Sequence, residues 1–280
     1  MILNLAVPTP GDLGFYRRWN KVGPTIKEIP KDPRDIRILV VDQKTNVTEQ
    51  LLDKLPGLKY VCTATTGHTH IKADLESRGL TLVSLRGDTE FLKAVRSVSE
   101  FTMFLILKLY REYLSPNRTL AGKSIGIIGN GRIGGQVAEI SKAFQMIPKV
   151  WDKEHSRQDL KLIFLTSDIV TIHLEENDQT KGLISRDLIN LMKPGAVIIN
   201  TARGSIVDEV ALVDAVRTNK ISGCAVDVIH NHDAFHKVDG YNILRSGHVA
   251  GSTLEDRVRT DERIVEKLKR LILSPDSKLE

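Results

Sequence analysis

Hydrophobic positions along the chain fall into two recurring patterns. Short continuous apolar runs, "IRILVV", "LKYVCTA" and "LTLVSL", alternate with stretches whose apolar residues recur at helical spacing, "TEQLLDKL" and "KADLESRG", the latter ending at Gly79. Such runs read as strands buried on both faces, and their alternation with short helices predicts parallel βαβ units. The first 34 residues resist this reading. Pro8, Pro10, Gly11, Gly14, Gly23, Pro24, Pro30 and Pro33 break them up and leave one strand at the start. From Ser97 to Leu114, "SVSEFTMFLILKLYREYL" predicts a long helix with Ser97 or Ser99 as its N-cap. "SPNRTLAGK" ends it, and a second alternating series begins. Its strands are "SIGIIG", "KVWD", "DIVTIHL", "AVIINTA" and "GCAVDV", and the amphipathic "TLEDRVRTDERIVEKLKRLIL" closes the pattern as a helix.

The second series opens on a glycine triplet, Gly129, Gly131 and Gly134 in "IIGNGRIGGQV". A lone triplet of this spacing is weak evidence, but this one sits between a predicted strand and a predicted helix. There the first glycine permits the tight turn, the second lets a pyrophosphate approach the backbone, and the third lets helix and strand pack closely. Amides and dipole at the helix N-terminus favour the phosphate charge. Asp152 ends the next strand, where an acid accepts hydrogen bonds from ribose hydroxyls and repels a 2′-phosphate. NAD is therefore expected over NADP, with Lys153 leaving a small opening for the phosphorylated cofactor.

Three further strand ends carry chemistry. Arg203 follows "AVIINTA", and a guanidinium there can grip a carboxylate and polarise a neighbouring carbonyl. Asp227 ends "GCAVDV". His248 lies in "SGHVAGST", beyond a final short strand, and a histidine is the natural proton carrier for an alcohol–ketone interconversion.

Composition narrows the partners. Of 280 residues, 41% are hydrophobic and 27% charged, enough for two soluble domains of ordinary size. The net charge of +5 is spread along the chain with no basic block interleaved with aromatics, so an enzyme handling anions is expected and nucleic acid is not. Cys62 and Cys224 sit in apolar stretches and read as reduced core thiols. His230, His232 and His236 cluster without metal-ligand spacing, so no metal is expected. "MILNLAV" lacks a basic leader, and the apolar run in "FTMFLILKLY" is too short to span a bilayer, so a cytoplasmic protein with no membrane partner is expected.

Taken together, these residues resemble the D-isomer-specific 2-hydroxyacid dehydrogenase family, the one that includes D-3-phosphoglycerate dehydrogenase. The likeness runs from about Asp35 to Thr253. It rests on "LLDKLPGLKYV", "GKSIGIIGNGRIG", "SDIVTIHL", "LMKPGAVIINTARGSIVDEVAL", "GCAVDV" and "HVAGST". The resemblance implies an α/β fold of two domains. One is a Rossmann-type doubly wound parallel sheet over residues 97–253, binding NAD. The other is a smaller, discontinuous, flavodoxin-like substrate domain over residues 1–96, to which residues 254–280 return. It implies that Arg203 holds the substrate and that His248 is the acid/base. It also implies that Gly129, Gly131, Arg132, Ile133, Gly134, Asp152, Thr201 and Asp227 contact the cofactor. It implies further that backbone amides around Thr66 and Gly67 meet the substrate, a small 2-oxo or 2-hydroxy acid, and that the protein is a homodimer.

The chain also departs from the family's pattern. Where the family places a glutamate five residues after the aspartate of its "DVFExEP"-like segment, this chain has His232, followed by Asp233 in place of a proline. The loops from Asp152 to Asp168 and from Asp227 to His248 are short. The proline of the family's "LHxP" is Glu175, and Lys72 replaces an aspartate of the substrate loop. Retention of Arg203 and His248 favours an enzyme. Loss of the glutamate favours a rival, a weakened NAD(H)-binding relative acting as a sensor or interaction protein.

Overall fold

The computed structural model describes residues 1–8 and 11–273, so Pro10 and the 274–280 part of the expected first domain lie outside the described residues. The chain divides into two compact units, Met1–Val95 with the chain from Ser252 onward, and Arg96–Gly251.

In the first unit, β1 (Ile2–Asn4), α1 (Phe15–Asn20), β2 (Thr25–Ile26), β3 (Ile38–Val41), α2 (Glu49–Asp53), β4 (Tyr60–Thr63), β5 (Thr81–Val83) and α3 (Thr89–Leu92) follow in sequence. The strands form one parallel sheet in the order β2-β1-β3-β4-β5, the order of flavodoxin-like folds. The four residues of β3 are all buried, as an unbroken apolar run between two helical layers requires. The opening segment holds more structure than its prolines suggest. Phe15 and Trp19 of α1 are buried with Ile264, Val265 and Leu268 of the helix Leu254–Leu273. Beside them Arg18, itself buried, bonds to Asp12 and, at 3.2 Å, to Asp261.

The helix expected over "KADLESRG" is absent, and that segment runs in turns. Its polar groups are engaged elsewhere. The Asp74 amide donates to the Glu49 carboxylate (2.8 Å), the Asp74 carbonyl accepts from Ser77 Oγ (3.0 Å), and Arg78 reaches Glu49 and Asp53. Aspartate and serine side chains that bond locally to the backbone compete with helix formation in this way.

The second unit runs α4 (Ser97–Lys108), β6 (Ser124–Ile128), α5 (Arg132–Ala143), β7 (Ile147–Trp151), α6 (Arg157–Thr166), β8 (Ile169–Ile172), α7 (Arg186–Leu191), β9 (Val197–Asn200), α8 (Glu209–Arg217), β10 (Gly223–Val226) and β11 (Ile243–Arg245). Neither Ser97 nor Ser99 caps α4. Arg96 is its N-cap, and Ser99 lies inside the helix, its hydroxyl 2.7 Å from the Arg96 carbonyl oxygen and 3.0 Å from Gln136 Oε1. Beyond Lys108 the helix widens into π-type turns over Leu109–Leu114.

All six strands are parallel, in the order β11-β10-β9-β8-β6-β7. The order reverses between β6 and β8, where such sheets open a ligand crevice. The usual dinucleotide-binding order places a further strand outside the second. Here β7 ends at Trp151 and α6 starts at Arg157, so the short connection leaves no room for it and β7 is the sheet edge. Two buried clusters fill the faces, one around Ile163, Phe164, Ile198 and Leu212 and the other around Ile106, Ile127, Val137 and Ile199.

Candidate active site

The glycine loop lies at the carboxyl end of β6, next to the reversal. Its three glycines meet different constraints. Gly129 has φ +105°, and a Cβ there would lie 2.6 Å from the His173 carbonyl oxygen. A Cβ at Gly134 would collide with the Gly129 carbonyl oxygen, whereas one at Gly131 would meet nothing within 4 Å. The outer two are thus required by the protein's own packing, and the middle one faces open space at the N-terminus of α5. Arg132 and Ile133 form the first turn of that helix. His173, at the end of β8, donates its amide to the Ile128 carbonyl (2.7 Å), and its ring contacts Thr171 Oγ1 (2.8 Å). Desolvation of the ring pushes its pKa down to about 3, so it is neutral in ordinary buffers.

Asp152 follows β7. His155 Nδ1 stands 2.8 Å from its Oδ1, and the Glu154 amide donates to the same oxygen (3.1 Å). Hydrogen bonding by His155, then by the Glu154 amide, holds the carboxyl below the usual aspartate range. A negative charge therefore stands at the carboxyl end of β7.

The remaining residues gather at the ends of β9, β10 and β11. Asn200 closes β9 and shapes the turn that follows: its Nδ2 donates to the Arg203 carbonyl (3.0 Å) and its Oδ1 accepts the Ala202 amide (3.0 Å). Arg203 Nη1 donates to the Ala202 carbonyl (2.7 Å). Thr201 is turned inward, its hydroxyl 3.0 Å from that of Thr102. Asp227 is buried, and both its oxygens are engaged by the segment that carries His248. Oδ1 accepts from Ser246 Oγ (2.6 Å) and the Val249 amide (2.9 Å), and Oδ2 from the Ala250 amide (3.1 Å). The His248 amide donates to the Asp227 carbonyl (2.6 Å), and His248 itself has φ +61°. A non-glycine residue in the left-handed region must be held there, and Asp227 supplies the hold.

Glu209 is a second buried carboxylate with a positioning task. It accepts the amides of His230 (3.1 Å to each oxygen) and Asn231 (2.6 Å), fixing the "HNH" loop beside Gly204, where a Cβ would strike the His230 amide. His232 and Asp233 are exposed beyond that anchor. In the first unit, Thr66 and Gly67 follow β4, with the Thr66 carbonyl accepting from Arg86 Nε (3.2 Å) and the Gly67 carbonyl from Thr65 Oγ1 (2.9 Å). Cys62 and Cys224 are free and buried, and burial raises both thiol pKa values. Sequence reading missed Asn200, Glu209, His155 and His173. Only the polar ends of apolar runs, "IIN" and "TIH", hinted at two of them.

The family described as "D-isomer specific 2-hydroxyacid dehydrogenase, NAD binding domain" matches residues 89–250. The chain belongs to this family. A glyoxylate reductase of Aeropyrum pernix is 31% identical over 254 residues, covering 78% of this chain and 74% of that protein. A D-3-phosphoglycerate dehydrogenase of Archaeoglobus fulgidus is 28% identical, covering 87% of this chain. The chain spans about half the length of the D-3-phosphoglycerate dehydrogenases it matches. Among solved structures, D-lactate dehydrogenase from Aquifex aeolicus, complexed with NAD and lactic acid, superposes with a TM-score of 0.79 at 25% identity, covering 97% of this chain and 95% of that one. As in the family, NAD is the cofactor. The residues fit it: two glycines that their surroundings require, a third that is open at a helix N-terminus, and an ionised aspartate at the next strand end.

Proposed function

We propose that this protein is an NAD-dependent oxidoreductase that interconverts a small 2-oxo acid and the corresponding D-2-hydroxy acid. The observation that carries this reading is the grouping of Arg203, Asp227 and His248 at three adjacent strand ends of the sheet that also bears the glycine loop. NAD, when bound, exchanges a hydride with C2 of the acid. Arg203 grips the carboxylate and polarises the 2-oxo group through its paired donors. Protonated His248 gives its proton to the C2 oxygen as the ketone becomes an alcohol, and neutral His248 takes it back in the reverse direction. Asp227 keeps the His248 loop in place through the bonds to Ser246, Val249 and Ala250. At the cofactor end, Gly131, Arg132 and Ile133 are assigned to the pyrophosphate and Asp152 to the adenosine ribose. Thr201 is assigned to the nicotinamide side through its backbone, since its hydroxyl is committed to Thr102. Thr66 and Gly67 carry over from the family likeness as substrate contacts through their backbone amides, and a homodimer carries over likewise, testable by light scattering.

A second reading has one observation in its favour. His232 stands exposed where the family likeness expects a glutamate, so an NAD(H) sensor with weakened catalysis accounts for that change. One experiment separates the two: NADH oxidation followed with glyoxylate, pyruvate, hydroxypyruvate and bulkier or sugar-derived 2-oxo acids. Turnover on at least one acid supports the enzyme. Quenching of NADH fluorescence with no turnover on any of them supports the sensor.

A further inference from the structure

The connection after β7 is unusual in what it brings to Asp152. Because α6 begins at Arg157, the chain must fold back at once. The His155 amide donates to the Asp152 carbonyl (3.1 Å), Trp151 Nε1 donates to the Ser156 carbonyl (2.9 Å), and a capping box between Ser156 and Asp159 starts the helix. This tight turn sets the His155 imidazole against the Asp152 carboxylate at 2.8 Å while leaving it 45% exposed. The charged groups around it are Asp152 at the strand end, Lys153 and Glu154 in the turn, and Arg157 and Asp159 in the first turn of α6. From the glycine loop the uncharged Asn130 also bonds to Asp152, and the charged Arg132 follows it at the start of α5.

We propose that His155 determines cofactor selectivity: its imidazolium form neutralises the carboxylate that repels a 2′-phosphate and, with Lys153 and Arg157, offers that phosphate a cation, whereas neutral His155 leaves Asp152 to exclude it. The proposal rests on the assignment of Asp152 to the adenosine ribose. Acidification favours the imidazolium form, so the preference for NADH over NADPH narrows as the pH falls.

Direct binding tests it without turnover. Dissociation constants for NADH and NADPH are measured by calorimetry near pH 8 and near pH 5.5 for the natural protein, His155→Gln, His155→Lys and Asp152→Asn. The 2′-phosphate itself takes up a proton near pH 6, which weakens its repulsion by Asp152 and narrows selectivity in the natural protein and in His155→Gln alike. The His155 contribution is the excess over His155→Gln, expected at about fivefold for a partly exposed charge pair. His155→Lys should show the narrowed selectivity at both pH values. Superimposable pH dependence in the natural protein and His155→Gln overturns the proposal. If selectivity collapses in Asp152→Asn while that superposition holds, the inference fails and the Asp152 assignment stands. Unchanged NADH affinity and selectivity in Asp152→Asn removes both.

Discussion

Replacing Asp227 with asparagine tests whether this buried carboxylate positions His248. Asparagine keeps the shape but offers one acceptor oxygen and one NH2. With its oxygen towards Ser246 Oγ and the Val249 amide, the NH2 faces the Ala250 amide, donor against donor. One hydrogen bond is lost, two lose the support of a charge, and a buried amide is left unsatisfied, at a cost of about 2 kcal/mol. The segment it holds includes His248 at φ +61°, a conformation costing roughly 1–2 kcal/mol that relaxes once the ties weaken. If the loss of about 2 kcal/mol falls on the placement of the proton donor, kcat/KM for the 2-oxo acid drops about thirtyfold. Steady-state kinetics reads that drop, and NADH fluorescence titration reads cofactor affinity, expected to stay within about threefold because both oxygens face the His248 loop. Hydrogen exchange at the Val249 and Ala250 amides should quicken. An NADH affinity that falls as far as kcat/KM would return Asp227 to the cofactor.

Other expectations follow from the same geometry. Arg203→Lys keeps the charge but loses the paired donors, so kcat/KM should fall about a hundredfold with NADH affinity nearly unchanged; a loss below about threefold would mean the carboxylate is held elsewhere. Gly134→Ala places a methyl on the Gly129 carbonyl oxygen and should destabilise the fold by about 2 kcal/mol or more in urea titration, whereas Gly131→Ala should leave stability within about 1 kcal/mol and weaken NADH. His173 has a folded-state pKa of about 3 against about 6.5 unfolded, so its contribution to stability is complete above pH 6.5 and is lost as pH falls towards 3. Between pH 6 and 4 the natural protein should lose stability more steeply than His173→Gln, by about 1.4 kcal/mol per pH unit; equal slopes would mean the ring protonates in the folded state.

The parallel strands were legible because each is an unbroken apolar run, and the glycine loop because its strand, turn and helix stand in register. What escaped was decided by contacts far apart in sequence or by local competition. "KADLESRG" has helical spacing, but Asp74, Ser77 and Arg78 find better partners in turns and in α2. Ser97 and Ser99 look like caps, yet Ser99 is drawn inward by Gln136. The proline-rich opening hid α1, whose Phe15 and Trp19 pack on Ile264, Val265 and Leu268 and whose Arg18 reaches Asp261, all far along the chain. At the candidate site, Arg203 and His248 stood out as candidates from residue type, strand ends and the family likeness. The tasks of Asp227 and Glu209 did not, since a carboxylate in sequence does not reveal which amides it will accept. The shortened connection after Asp152 was visible, but not that it brings His155 onto the carboxylate.

In the proposed reaction Arg203 and His248 serve hydride exchange at C2 of a 2-oxo acid. Its most direct measurement uses NADH carrying deuterium at the transferable position of nicotinamide C4, incubated with each 2-oxo acid and analysed by mass spectrometry and chiral chromatography. The expected product is a D-2-hydroxy acid with deuterium at C2, formed at least about a hundredfold more slowly by His248→Gln. Cofactor binding without deuterium transfer to any acid, or transfer at an undiminished rate in His248→Gln, would contradict it.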